Sequence, residues 1–203
     1  MTEIRGKNAT AVAPWAVLGV LGSLFPIVYL HFTSADVMNP IRHTVSDYTA
    51  VPDGTALLAV AALSLAVGSL VLRTRLVAAG LPRWGAAAVL IDLWAAALVV
   101  AAVFPTDPIG TPTSPSGLVH RYAGAVMFAS LPLAGWLISR RFLPSPVVRR
   151  FSVAAVGTSG AFLLSHLALV APGNDAVLLG LFERVLFAVL YGLLFALARE
   201  VSA

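Results

Sequence analysis

Six apolar runs, each close to the length that crosses a bilayer, constrain this chain more than any other feature. A transmembrane helix takes about 20 largely apolar residues to cover about 30 Å of hydrocarbon. Within 203 residues, Ala13–Phe32, Thr55–Leu72, Trp84–Phe104, Leu118–Ser139, Phe151–Ala171 and Leu181–Ala198 all approach that length. A soluble domain covers its surface with about 25% charged residues. This chain has 11% charged and 59% hydrophobic residues, with a mean hydropathy of +0.92. Too few charges remain to coat a soluble fold, so the expected fold class is all-α: an integral membrane bundle of six transmembrane helices, forming one domain over residues 1–203. The first run lacks a small-residue cleavage exit and reads as a retained span rather than a signal peptide.

Orientation follows from where Lys and Arg fall, because basic flanks stay on the cytoplasmic side. Arg5 and Lys7 precede the first run. Arg73, Arg75 and Arg83 lie between the second and third, Arg140, Arg141, Arg149 and Arg150 between the fourth and fifth, and Arg199 closes the sixth. Ten of the 13 basic residues therefore fall on one side, which is expected to be cytoplasmic along with both termini. The cell membrane is the expected location. A sequence pI near 10.1 does not imply nucleic acid, because the basic residues sit between apolar runs instead of forming one basic face. The absence of Cys excludes a disulfide framework and a thiolate metal site.

Local signals support the boundaries. Ser145-Pro146 reads as an N-cap followed by Pro at the first helical position, Pro14 and Pro82 suit the same role, and Ser116 suits a cap for the fourth helix. Asp53-Gly54-Thr55 is suited to turning and capping the second helix. Pro26 and Pro132 fall inside helices and are expected to kink them. Abundant Ala and Gly predict close helix packing.

The polar residues are concentrated on the expected outer side, which holds all four histidines and six of the nine acids. Ser46 and Asp47 suit a short interfacial helix in the first outer loop, with Tyr48 as an interface anchor. The Phe104–Arg121 stretch carries Asp107 at one edge and His120-Arg121 at the other. Glu183 and Arg184 open the sixth helix, where an ion pair with Asp107 or Asp47 competes with a binding site. His166 lies inside the fifth helix, on a face with Phe162 and Ser159. Asp92 lies within the third apolar run, where an ionisable group costs about 2.5–3.5 kcal/mol on insertion scales. It is expected to face the bundle, protonated or bonded to Ser or Thr.

Asn39-Pro40, Ser46-Asp47-Tyr48, Phe104-Pro-Thr-Asp-Pro108, Gly117-x-x-His120 and Glu183-Arg184 together resemble a bacterial membrane family, the domain of unknown function 998. The likeness covers nearly the whole chain. It implies a six-helix integral membrane protein, carries no reaction, and suggests a common site for Asp107, His120 and Glu183.

Three functions compete. Binding of a lipid headgroup, small ligand or partner by an outer polar cluster comes first, with Ser46, Asp47, Asp107, His120, Arg121, His166, Glu183 and Arg184 as candidates. A membrane-embedded hydrolase or transferase acting on a lipid comes second. No cofactor is evident, but Asp107, His120 and Glu183 have the donor atoms of a divalent metal centre. Against that, the usual His-x-x-x-His or Glu-x-x-His spacing does not occur. A proton-coupled transporter built on Asp92 comes third. Haem held by His120 and His166 rests on two histidines alone.

Overall fold

The computed structural model describes residues 13–108, 110–169 and 178–201, with side chains described for 17–108, 110–165 and 178–201. Among these residues six helices follow in order: α1 (Ala13–Thr33), α2 (Gly54–Ala78), α3 (Ala86–Val103), α4 (Pro115–Arg141), α5 (Pro146–Leu169) and α6 (Leu179–Glu200). One 3-10 turn, Ser46–Ala50, interrupts the α1–α2 connection, and no strand occurs among the described residues. Ala and Leu dominate the helices, and both are strong helix formers. Five helices, α2 to α6, are long and apolar enough to cross a membrane; in α1 the corresponding stretch is Val17–Thr33.

Large apolar side chains point outward as well as inward. Phe25 and Phe32 of α1 are 72% and 75% exposed, and Val60 and Val67 of α2 and Leu163 and Leu164 of α5 are also exposed. Contiguous surface of this kind drives aggregation in water but matches lipid tails. The protein is thus a helical membrane protein.

Each helix packs on its neighbours in sequence, and α6 also touches α1, α2 and α4. Leu186, Leu190, Leu193, Leu194 and Leu197 of α6 are buried as a result. The predicted close packing is present between α1 and α2, where a Cβ on Gly19 would run into the backbone of Gly68. Buried polar pairs join the helices, Ser23 and Tyr191 hydroxyls 2.7 Å apart and Trp94 Nε1 donating to Ser69 Oγ at 2.9 Å, and the half-buried Ser159 Oγ donates to the Phe128 carbonyl at 2.8 Å.

Helix ends depart from the apolar runs in a consistent way. Helix α2 continues past Leu72 to Ala78, α4 ends with Arg140 and Arg141, and α5 begins early enough to include Arg149 and Arg150. Arg is a good helix former whose long stem lets its charge reach the headgroups from a helical position. Hydropathy therefore marks the edge of the oil and not the end of the helix.

The cap at Ser145 is as expected: its hydroxyl accepts from Val148 N–H at 3.4 Å, and Pro146 is the first helical residue. Elsewhere the caps differ. Ser114, not Ser116, caps α4, accepting from Gly117 N–H at 3.1 Å with Pro115 next, while Ser116 donates to the Pro105 carbonyl. Helix α3 starts behind Gly85, which leaves Pro82 in the preceding turn. Asp53 precedes α2 with φ of 59° and makes no side-chain cap bond. Pro26 and Pro132 do lie inside α1 and α4.

Asp92 also departs from expectation. It pairs with Arg73 of α2, Nε to Oδ1 at 2.6 Å, and 40% of its side chain is exposed. Arg73 also donates to the Arg83 carbonyl at 3.1 Å, tying down the α2–α3 turn. The apolar boundary at Leu72 hides this partner, because it assigns Arg73 to a loop.

Candidate functional site

Apart from Asp92 and His166, the candidate residues fall into two groups, on the α1–α2 and α3–α4 connections and the start of α6. The first is built where the α1–α2 connection lies on the start of α6. Asn39 forms the expected turn: its Oδ1 accepts from Ile41 N–H and Arg42 N–H. His43 Nδ1 accepts from Asn39 N–H at 3.1 Å, so that nitrogen carries no proton. Asp47 Oδ2 accepts from Thr44 N–H at 2.6 Å, and the Thr44 and Ser46 hydroxyls lie 2.9 Å apart. Ser46 and Asp47 thus fold the loop onto itself and form the short 3-10 turn.

Arg184 fastens that loop to α6. Its Nη1 donates to the carbonyls of Pro40 (2.9 Å) and His43 (2.6 Å) and to Gly180 of its own helix (3.1 Å). Its Nη2 donates to the Tyr48 hydroxyl at 3.2 Å, with the guanidinium 5.7 Å from the centre of the Tyr48 ring. Tyr48 is no interface anchor: it is 1% exposed, and its hydroxyl also meets His31 Nδ1 at 3.0 Å. Glu183 is buried and accepts from Val45 N–H. Leu181 N–H, one of the free donors of the first turn of α6, finds the Ile41 carbonyl at 3.1 Å. Gly180 makes this contact possible, since a Cβ there would occupy the space of the Pro40 and His43 carbonyl oxygens.

The second group lies on the α3–α4 connection. Asp107 Oδ2 accepts from Ser114 N–H at 3.0 Å and lies against Gly117, where a Cβ would overlap its carboxylate. Hydrogen bonds from the Ser114 side chain and backbone hold the Asp107 carboxyl below the usual range, with smaller help from the charges of Arg121 and His120. The staple to Ser114 is accordingly intact above the unfolded carboxyl value of about 3.9 and is lost only as pH falls through the depressed folded value.

His120 Nδ1 lies 2.9 Å from the Phe104 carbonyl and 3.3 Å from that of Ala101, at the C-terminal end of α3. Both neighbours are acceptors, so the hydrogen-bond network assigns the proton to Nδ1. Nε2 then has no protein partner among the described residues. An imidazole held through Nδ1–H by carbonyls, with Nε2 open, is oriented to accept a proton, a hydrogen bond or a metal.

Asp107, His120 and Arg121 therefore come together, and so do Ser46, Asp47, Glu183 and Arg184. No hydrogen bond or ion pair joins the two groups among the described residues, and no three His, Cys, Asp or Glu side chains gather there where an ion could be held. The side chain of His166 lies outside the described residues, as does Asp175.

Sequence reasoning missed Gly180, Val45 and Ser114. Gly180 had a signal, a glycine three residues before Glu183-Arg184 at a helix start. Val45 had none, because it contributes only its N–H. The role of Gly117 is open to test. Gly117→Ala is expected to force Asp107 off Ser114 at a cost of about 1–3 kcal/mol. A fall in melting temperature of roughly 2–4 °C per kcal/mol in detergent would register it.

No curated protein and no solved structure matches the chain. The family model described as "Protein of unknown function (DUF998)" matches residues 17–200, a range that includes both polar groups and reaches the last residue of α6. On that match the chain belongs to the DUF998 family.

Proposed function

We propose that this is a six-span protein of the cell membrane, with both termini cytoplasmic, that binds a lipid headgroup or small polar ligand at its outer end. The orientation rests on the ten basic residues placed on one side. The chain offers a clean test because it lacks Cys. Thr111→Cys in the α3–α4 connection is expected to react with a membrane-impermeant maleimide in intact cells. Pro144→Cys, between α4 and α5, is expected to react only after permeabilisation. The opposite pattern refutes the orientation.

His120 carries the binding reading. Its Nε2 is open, its ring is held by two carbonyls, and Asp107 and Arg121 lie beside it. An acceptor, an anion and a cation on one short segment suit a zwitterionic or hydroxyl-bearing headgroup. The first group is read as structural, since the donors of Arg184 are already engaged. Phosphoethanolamine, phosphocholine, glycerol 3-phosphate and simple sugars are suitable soluble probes for thermal shift. At 100 times its Kd, a ligand is expected to stabilise the protein by about 2.7 kcal/mol. No shift with any probe, together with no lipid retained on purification, would remove this reading.

The same histidine supports a second reading, a membrane-embedded hydrolase or transferase acting on a lipid, in which Nε2 serves as a general base. Turnover of a lipid substrate that is lost in His120→Gln would favour it over binding alone.

A further inference from the structure

The opposite end of α4 carries a second feature that the outer site does not use. Helix α4 closes with Arg140-Arg141, and α5 opens with Arg149-Arg150 after the short Pro144-Ser145 link. An open cleft of about 620 Å³ lies at this corner, lined by Ser139, Ser145, Arg149, Arg150, Val153 and Ala154. Its volume falls within the roughly 300–1,000 Å³ of small-molecule sites.

Two arginines, Arg149 and Arg150, line the cleft, and Arg140 and Arg141 end the helix that precedes it. Among the described residues no acidic side chain forms an ion pair with any of the four. The nearby carboxylate of Glu200 accepts a hydrogen bond from Ser145 Oγ at 2.7 Å. The other inner corner differs: Arg73 is paired with Asp92 and bonded to the Arg83 carbonyl. Charge at the α2–α3 corner is partly satisfied within the protein, whereas at the α4–α5 corner none of the described carboxylates pairs with an arginine.

The depth of the cleft is also defined. The Arg140 guanidinium lies 4.9 Å over the Trp136 ring, and Arg83 lies 5.2 Å over Trp84. Trp beside Arg marks the membrane–water boundary, where aromatic rings sit among headgroups. The cleft thus has a cationic rim at headgroup level and an apolar wall, Val153 and Ala154, that continues down an exposed face of α5. A free inorganic anion would use only the rim; a phospholipid would use both.

We propose that the α4–α5 corner is a binding site for an anionic phospholipid, whose phosphate lies between Arg149 and Arg150 and whose acyl chain runs along Val153. Basic pockets between helix ends on the cytoplasmic side suit such headgroups. This site is separate from the outer one and stands whether or not the outer one binds a ligand.

The test compares melting of the full chain in detergent micelles doped with phosphatidylglycerol or with phosphatidylcholine of the same acyl chains. Inorganic phosphate at the same concentration forms a third arm. Phosphatidylglycerol is expected to raise the melting temperature more than phosphatidylcholine does, with phosphate giving no shift. The Arg149→Gln/Arg150→Gln variant is expected to lose that preference. These side chains are exposed, so folding is expected to survive, and native mass spectrometry of retained phosphatidylglycerol gives an independent reading. Arg83→Gln, at the same depth on the other corner, is expected to keep the preference. Equal shifts from the two lipids, a preference that persists in the double variant, or a phosphate shift matching that of phosphatidylglycerol would overturn the proposal.

Discussion

Replacing Arg184 with Ala is expected to lower the melting temperature of the detergent-solubilised protein by about 6–12 °C. The side chain donates to the carbonyls of Pro40, His43 and Gly180 and to the Tyr48 hydroxyl. Hydrogen bonds to a charged group contribute about 1.5–3 kcal/mol, and acceptors left unpaired at a packed contact add their own cost. A net loss of about 3 kcal/mol, at roughly 2–4 °C per kcal/mol for a chain of this size, gives the stated range. Arg184→Lys keeps the charge but loses the planar fork that reaches several carbonyls at once, so an intermediate loss is expected. Tyr48→Phe removes only one hydroxyl and is expected to cost about 1 kcal/mol. If Arg184→Ala melted within 2 °C of the parent, the α1–α2 connection would not depend on this clamp.

The second large effect is expected at Asp92. Arg73→Leu leaves the part-exposed Asp92 carboxylate unpaired on a membrane helix, at a cost of at most about 2.5–3.5 kcal/mol, the helix-centre value, and melting is expected to fall by no more than about 14 °C. The double change Arg73→Leu/Asp92→Leu removes both charges. Removing both partners avoids the unpaired charge, and for ion pairs held away from water an apolar replacement is often neutral or stabilising. Recovery of most of the lost stability in the double variant is the expected signature of direct coupling. A double variant as unstable as Arg73→Leu alone would show that the 2.6 Å contact does not hold the helices together. The same pair gives Asp92 a structural role that requires no proton transport.

What could be read in the sequence follows a physical division. Long apolar runs announce spans, because crossing hydrocarbon demands length and hydrophobicity, both of which are written in side chains. Asp107 and His120 were legible as neighbours because they lie at the two edges of one short polar connection. The clamp at Arg184 was not, because its main partners are backbone carbonyls, which every residue carries and no sequence marks. A charged residue invites a search for an opposite charge, so Asp47 and Asp107 were the natural partners; instead Asp47 holds Thr44 N–H and Asp107 holds Ser114 N–H. The pairing of Asp92 was hidden by the apolar boundary at Leu72, which ended helix two six residues before Ala78. Tyr48 illustrates the limit of composition, since an aromatic ring in a membrane loop suits an interface belt and a buried hub equally.

In the reading proposed above, a structural clamp around Arg184 stands apart from an open binding face at Asp107, His120 and Arg121. Headgroup-dependent thermal shift, measured in parallel on wild type, His120→Gln and Arg184→Lys, tests that division most directly. His120→Gln is expected to melt within about 2–4 °C of wild type, a loss no larger than about 1 kcal/mol, and no longer to respond to the probe. Arg184→Lys is expected to melt lower but still to gain the full shift. A probe shift that survives in His120→Gln and disappears in Arg184→Lys would contradict that division.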